Sequence, residues 1–414
     1  MARRRAVITG MGVITPIGNT LDEYCEGLLA GKSGIGQISL FDASQYSSRI
    51  AGEVKNFDPV KYIDRKCIPR MDRFAQFAVA AAAQAIENSG LDISKEDPYR
   101  IGVVCGTGIG GLKTLEREVG VLLSKGPLRV SPFFIPMLIT NISPGEIAIM
   151  YGFKGPNYSV SSACASSSHA LGDALRLIRD NKVDVIISGG SEAAITPVGL
   201  AGFCSMKALS TRNDDPEHAS RPFDKDRDGF IMSEGAGILV IEELEHARSR
   251  GARIFAELAG YGATDDAYHI TAPDPSGEAP AGSMKMAIND AGLSPEDIDY
   301  VNAHGTSTPL NDKSETLAIK KAFGEHARKL AVSSTKSMLG HMLGAAGAVE
   351  IIASVLCMNK GMVHATVNYQ TPDPDCDLDY VPNNPREMEV NSLISNSLGF
   401  GGHNATLVVC RYAE

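Results

Sequence analysis

Residues 157–180, "NYSVSSACASSSHALGDALRLIRD", run from a short β-branched stretch through clustered Ser and Ala into a helical pattern. The junction reads as a strand-to-helix turn with Cys164 at its corner. At a helix start the free N–H groups and the macrodipole favour a thiolate over a thiol. Each pKa unit so gained corresponds to about 1.4 kcal/mol. The small neighbours also leave room for a close approach to the sulfur. Two readings stay open from this stretch alone, a buried filler thiol and a nucleophile.

Outward from this turn the chain keeps one theme. "RAVITG", "RIGVVCGTG" and "VDVIISGG" read as strands ending in glycine turns, and "DRFAQFAVAAAAQAIENSG" as a helix closed by Gly. This α/β alternation predicts parallel sheets covered by helices. The second half repeats it: "IFAELAGYGATDD" resembles the opening strand and turn, and "DIDYVNAHGTST" parallels "YRIGVVCGTGIG". "VSSTK" (332–336) matches "VSSAC" (160–164). One unit of roughly 200 residues used twice is expected. The split falls near Gly251, giving halves of 1–251 and 252–414.

Bulk properties bound the function. Of 414 residues, 43% are hydrophobic and 21% charged, as in ordinary globular proteins. A net charge of −10 argues against nucleic acid or an anionic membrane as main partner. No apolar run is read as long enough to span a bilayer. "MARRRAVITGMGVITPIG" reads as a first strand and turn rather than a signal peptide. Eight cysteines without a C-x-x-C pair oppose a zinc site or a disulfide framework and point to a reducing compartment.

Two of nine histidines stand at strand ends or helix starts, where α/β folds place reacting groups. His304 lies in "NAHGTSTP" and His341 in "KSMLGHMLGAAGAVE". The other seven, His364 among them, are read as loop or exposed helix residues. "DKDRDGFIMSEG" (224–235) opens like a calcium loop, but its twelfth position is Gly235 rather than Glu, so no metal is expected. In "SNSLGFGGHNATLVV", Gly399, Gly401 and Gly402 surround Phe400 and would let a backbone N–H approach a ligand.

These motifs together resemble the β-ketoacyl-acyl-carrier-protein synthases. "SSACASSSH", "NAHGTSTP", "SSTKSMLGHMLGAAGA" and "SNSLGFGG" fall in that family's order, over residues 3 to 412. "GTGIGGL", "SPFFIP" and "DDAYHITAP" are similar to the elongating enzymes of type II fatty acid synthesis. His403 is a local departure in the loop carrying Phe400, where Thr is also known.

The resemblance implies a thiolase-like fold, with two similar halves in a five-layered α-β-α-β-α sandwich, and a homodimer. It implies no cofactor. Cys164 would take an acyl chain from acyl carrier protein, with the Cys164 and Phe400 N–H groups as oxyanion hole and Phe400 as gate. His304 and His341 would stabilise the enolate formed when malonyl-carrier loses carbon dioxide, with Lys336 as electrostatic and orienting support. Thr271, Thr306 and Thr308 would hold the pantetheine arm, and Ile109, Phe133 and Phe203 would line the acyl pocket, Phe133 from the other subunit. An acidic carrier needs a local basic patch, for which Arg65, Lys66, Arg70, Arg73, Arg129 and Lys207 are candidates. The resemblance places the protein in a bacterial cytosol, or in an organelle after loss of a leader.

Rivals fit less well. A biosynthetic thiolase needs a second active-site cysteine where Phe400 stands. A polyketide-type ketosynthase shares the catalytic types but has "HGTGT" where this chain has "HGTST". A non-catalytic chain-length-factor-like subunit would lack the nucleophile.

Overall fold

The computed structural model describes residues 3–413. Its main sheet draws five strands from before Gly251: β1 (Ala6–Ile14), β2 (Ile101–Gly106), β3 (Asn157–Val160), β4 (Val185–Glu192) and β5 (Gly235–Glu243). Five more follow: β6 (Ala256–Asp265), β7 (Tyr300–Asn302), β8 (Ala331–Ser333), β9 (Ser392–Gly399) and β10 (His403–Cys410). Their order is β8-β7-β9-β10-β6-β1-β5-β4-β2-β3. Read outward from the centre, each half places its strands first, fifth, fourth, second, third. The repeat anticipated from the sequence is therefore present in the topology.

The sheet is mixed, which corrects the expectation of parallel strands. β4–β2, β2–β3, β9–β7 and β7–β8 are parallel, whereas β1–β5, β5–β4, β6–β10 and β10–β9 are antiparallel. The reason is the connection: β9 returns into β10 through a tight turn at Phe400–Gly402, with no crossover helix to restore direction. The two halves join where β1 pairs β6 over three residues, Ala6–Ile8 against Ala256–Leu258.

The longer helices are α1 (Arg73–Ser89), α2 (Leu112–Lys125), α3 (Ile142–Tyr151), α4 (Ser166–Arg179), α5 (Glu278–Ala291), α6 (Pro309–Phe323) and α7 (Ala346–Lys360), and all but the peripheral α2 cover these strands. Alternation along each strand sends neighbouring residues to opposite faces. Ile238 and Val240 of β5 pack outward against α1, while Leu239 and Ile241 pack inward against α4 and α7. In the second half Ile394 and Val408 face α5 and α6, while Leu393 and Leu407 face the same central helices. The result is five layers, with α4 and α7 in the middle touching both halves. The fold is the thiolase-like α/β sandwich that the sequence implied.

Close packing is repeated too. A Cβ on Gly12 of β1 would lie 2.1 Å from the Ala81 carbonyl oxygen of α1, and one on Gly262 of β6 2.1 Å from that of Ser283 in α5. Only glycine lets a strand lie this close under a helix backbone.

The segment Leu343–Lys360 does reach spanning length, with a mean hydropathy of 1.3, contrary to the sequence reading. It is 83% buried between the two halves, so its apolar character serves the central layer.

Candidate active site

Cys164 sits in a single 3₁₀ turn, Ala163–Ala165, between β3 and α4. Ala163 holds φ at 50°, a left-handed conformation that costs a non-glycine residue energy and sharpens the corner. The second half has the same turn, Leu343–Ala345 before α7, with Leu343 at φ 48°. The "VSSAC"/"VSSTK" match puts Lys336 opposite Cys164, but the backbone puts Gly344 there. The second half inserts a short helix, Lys336–Leu339, and then His341 ahead of its turn. That insertion is what delivers Lys336 and His341 to the site.

A cavity of about 620 Å³ gathers Cys164, His304, His341 and Phe400 with Thr271, Thr306 and Thr308. His304 follows β7, and its backbone N–H and that of Gly305 donate to the buried carboxylate of Glu315, each at 2.8 Å. His341 is fixed by its own backbone, whose N–H donates to the Ile231 carbonyl at 2.7 Å. The two imidazoles meet edge to face with centroids 5.2 Å apart. Burial pushes both well below the ordinary histidine pKa, and the nearby Lys336 ammonium adds to the effect. Both rings are therefore neutral and can serve as uncharged hydrogen-bond donors.

Lys336 is buried and its ammonium donates to Glu350, itself buried in α7. Burial raises the Glu350 carboxyl to about 7 against the opposing pull of Lys336. The cation thus reaches the histidines through space, with no hydrogen bond to either among the described residues.

Phe400 lies at the tip between β9 and β10, where Gly401 and Gly402 take φ of 87° and 84°. A Cβ on Gly399 would lie 3.3 Å from the Cys164 nitrogen, so this tip packs on the cysteine turn. The N–H groups of Phe400 and of Cys164 both favour the thiolate, as two oxyanion-hole donors would. The expected net lowering of the thiol pKa is nevertheless absent. Burial dominates and pushes Cys164 up to about 11, with Lys336 and the two N–H groups only partly opposing it. The Cys164 thiol is therefore neutral at ordinary pH.

Two family models match the chain: β-ketoacyl synthase, N-terminal domain, over residues 3–247, and β-ketoacyl synthase, C-terminal domain, over residues 255–370. The chain belongs to the β-ketoacyl synthase family. It is accordingly an enzyme of the acyltransferase type. It is similar to the 3-oxoacyl-[acyl-carrier-protein] synthase 2 of Synechocystis sp., 55% identical over 100% of this chain and 99% of the relative. The protein of the same name in Coxiella burnetii is 53% identical over 99% of each chain. Among solved structures, a type II polyketide ketosynthase in complex with its acyl carrier protein superposes with a TM-score of 0.93 at 36% identity, covering 99% of this chain and 100% of that one.

Other residues singled out from the sequence of this β-ketoacyl synthase scatter around the site. Thr306 and Thr308 share a hydroxyl contact of 3.0 Å at the cavity wall, and Thr308 also caps α6 by accepting from the Asn311 N–H. Phe203 does not line the cavity. It stacks edge-on against Phe230, which in turn meets the His341 ring. Ile109 and Phe133 are also absent from the wall. Ile109 is tied by its backbone to Glu192, and Phe133 lies on the surface 4.6 Å beneath the Arg70 guanidinium.

Of the basic candidates, Arg65, Lys66, Arg70 and Arg129 are exposed, and Lys207 is exposed at the cavity mouth. Arg73 is withdrawn from that set, because its guanidinium forms a two-pronged pair with buried Glu234 at 2.7 and 2.9 Å. The calcium-like stretch is spent internally, with buried Asp224 accepting the backbone N–H groups of Gln370 and Thr371.

Three buried carboxylates escaped the sequence reading: Glu192, Glu315 and Glu350. Each sits in an ordinary-looking stretch, and only folding brings its donors together. His364 was misread as well. It is fully buried, hydrogen-bonded to Thr335 at 2.9 Å and Tyr300 at 3.1 Å, with burial lowering its pKa to about 4. His403 rests its ring against Gly401 and faces Asp265 at 3.4 Å.

Proposed function

We propose that the chain performs a decarboxylative condensation of an acyl-carrier thioester with malonyl-carrier, giving a 3-oxoacyl thioester two carbons longer, as in fatty acid elongation. The observation that carries this reading is one cavity holding a buried thiol and two neutral imidazoles. Cys164 attacks the acyl thioester carbonyl and passes its proton to the departing pantetheine sulfur. This forms an acyl-Cys164 intermediate. The Phe400 and Cys164 N–H groups hold the tetrahedral oxyanion, each donor being worth about 3 kcal/mol of barrier. Malonyl-carrier then loses carbon dioxide, and His304 and His341 donate hydrogen bonds to the enolate oxygen. The enolate carbon attacks the acyl-Cys164 carbonyl and expels the thiolate, which takes up a proton from solvent to restore the thiol. Lys336 supports the developing negative charge from behind the histidines.

Acyl carrier protein is the proposed partner, received by Arg65, Lys66, Arg70, Arg129 and Lys207 and threading its pantetheine past Thr271, Thr306 and Thr308. A homodimer is supported by β3, a sheet-edge strand with one neighbour. Ile149 of α3, which packs beside this strand, is 76% exposed, and Leu123 and Leu128, earlier in the same half, are 81% and 97% exposed. A second copy pairing along this edge would cover them and bring Phe133 close to its partner's site. Eight unpaired thiols support a reducing compartment, the bacterial cytosol or an organelle interior.

The test is product formation: acyl-carrier and malonyl-carrier incubated with the enzyme should yield carbon dioxide and 3-oxoacyl-carrier by mass. Hydrolysis alone, or no consumption of malonyl-carrier, would reject the reading. The chain-length-factor alternative loses ground because Cys164 is present and faces the cavity.

A further inference from the structure

Glu192, at the end of β4, is fully buried and forms no ion pair among the described residues. Its carboxylate accepts four hydrogen bonds instead. Oε1 takes the Thr107 hydroxyl at 3.0 Å and the Ile109 N–H at 3.2 Å. Oε2 takes the Gly108 N–H at 2.7 Å and the Gly344 N–H at 3.1 Å. Three of the donors belong to the turn after β2, and the fourth belongs to the second half. Gly344 is the residue whose turn mirrors that of Cys164. The carboxylate therefore accepts the N–H of the second-half residue that stands where the first half has Cys164.

The segments pinned by Glu192 build the surroundings of the nucleophile. The turn at 107–110 leads into Leu112, the Gly344 turn carries Leu343, and the strand bearing Glu192 continues into Ile195. All three side chains share an apolar cluster with Cys164, Leu200, Phe203 and Phe230. The turn also packs on the cysteine corner itself, since a Cβ on Gly108 would lie 3.5 Å from the Ala163 carbonyl oxygen. The open cavity is lined in one part by Thr271, Thr306 and Thr308 and meets the cluster at Phe230, Leu343 and Ala208, which line it too. An acyl chain on the sulfur that extends through this apolar wall must part the cluster, and a long chain must part it further than a short one.

We propose that Glu192 is a positioning residue for acyl-chain selection, holding the 107–110 turn and the Gly344 turn so that the apolar cluster behind Cys164 opens along a defined path for long chains. This rests on the reading that Cys164 accepts an acyl group. A fully buried carboxyl group held only by backbone and hydroxyl donors is a costly choice for mere packing, and it makes both turns depend on one side chain. Leaving its buried donors unpaired costs about 1–3 kcal/mol, roughly a fivefold to hundredfold change in rate when felt only by one substrate.

The experiment compares Glu192→Gln, which keeps the shape but replaces one acceptor oxygen by a donor, with the milder Thr107→Val, which removes one donor. Acylation of Cys164 by hexadecanoyl-carrier and by butyryl-carrier is followed by intact mass, and the ratio of the two kcat/KM values is the readout. General loosening or partial misfolding lowers both donors together and leaves the ratio in place. The expected result is a long-to-short ratio lowered about tenfold in Glu192→Gln, with a smaller fall in the same direction in Thr107→Val. A ratio that stays at the wild-type value or rises in both variants overturns the proposal. Wild-type protein that is not acylated by either donor would instead reject the condensation reading.

Discussion

His304 and His341 face each other at 5.2 Å, and neither Nδ1 of His304 nor either ring nitrogen of His341 has a hydrogen-bond partner among the described residues. Buried polar groups without partners are expensive, about 1–3 kcal/mol each. They persist where a transient oxygen is to be met. The backbone anchors through Glu315 and Ile231 fix the main chain from which both rings project.

Removing either ring should therefore strike decarboxylation hardest. His304→Ala and His341→Ala are each expected to lower malonyl-carrier decarboxylation about a hundredfold to a thousandfold. Radiolabelled carbon dioxide release measures this.

The same pair sets a pH dependence. Both histidine pKa values are depressed, so the neutral form persists as pH falls through the ordinary value of 6.5. Activity carried by neutral rings is lost only well below that point. A decarboxylation profile for the wild type should show no falling limb centred near 6.5, and a limb there would mean that the rings titrate normally.

Lys336 and Glu350 form a buried pair in which neither partner can be spared. Lys336→Ala leaves a carboxyl stranded in the central layer and should cost about 3–5 kcal/mol, read as a fall in Tm. The double variant Lys336→Met with Glu350→Gln should recover much of it, because the uncompensated charge is gone.

How much of this was legible before folding differs by residue. Cys164, His304 and Phe400 were legible because each follows a strand in a turn of small residues, and His341 because Gly and Ala open the helix beside it; the fold gathers all four at one cavity. The repeat was legible in matched strands, although "VSSTK" misaligned the second half by hiding its inserted helix. Glu192, Glu315 and Glu350 were invisible because their partners lie far along the chain: Glu192 and Gly344 meet only when the halves close. Arg73 looked like its exposed neighbours, and only Glu234 distinguishes it. At Cys164 its own N–H favours the thiolate as a helix start would, joined by the Phe400 N–H from a distant turn, but burial, which local sequence does not reveal, outweighs both.

Surface charge gives a separable prediction. Lys66→Glu with Arg70→Glu should raise KM for acyl-carrier donors while sparing small thioesters, since both residues are exposed and away from the cavity wall. Equal loss with both kinds of donor would remove them from carrier docking.

His246 offers a stability test away from the site. Hydrogen bonds donated by its ring to the Glu242 carboxylate first and to Glu96 after it raise it to about 9 despite partial burial. A raised histidine pKa stabilises the fold fully below its ordinary value of 6.5, and that benefit is lost as pH climbs through about 9. The stability gap between wild type and His246→Gln should be roughly 1–2 kcal/mol at low pH, after allowance for solvent screening, and should close at high pH.

The central claim is that Cys164 carries the acyl chain. Intact-mass analysis after incubation with acyl-carrier donors of graded length tests it most directly. A mass gain of one acyl group in the wild type, absent in Cys164→Ala, is the predicted result. An adduct that survives in Cys164→Ala, or no adduct with any donor in the wild type, would contradict it.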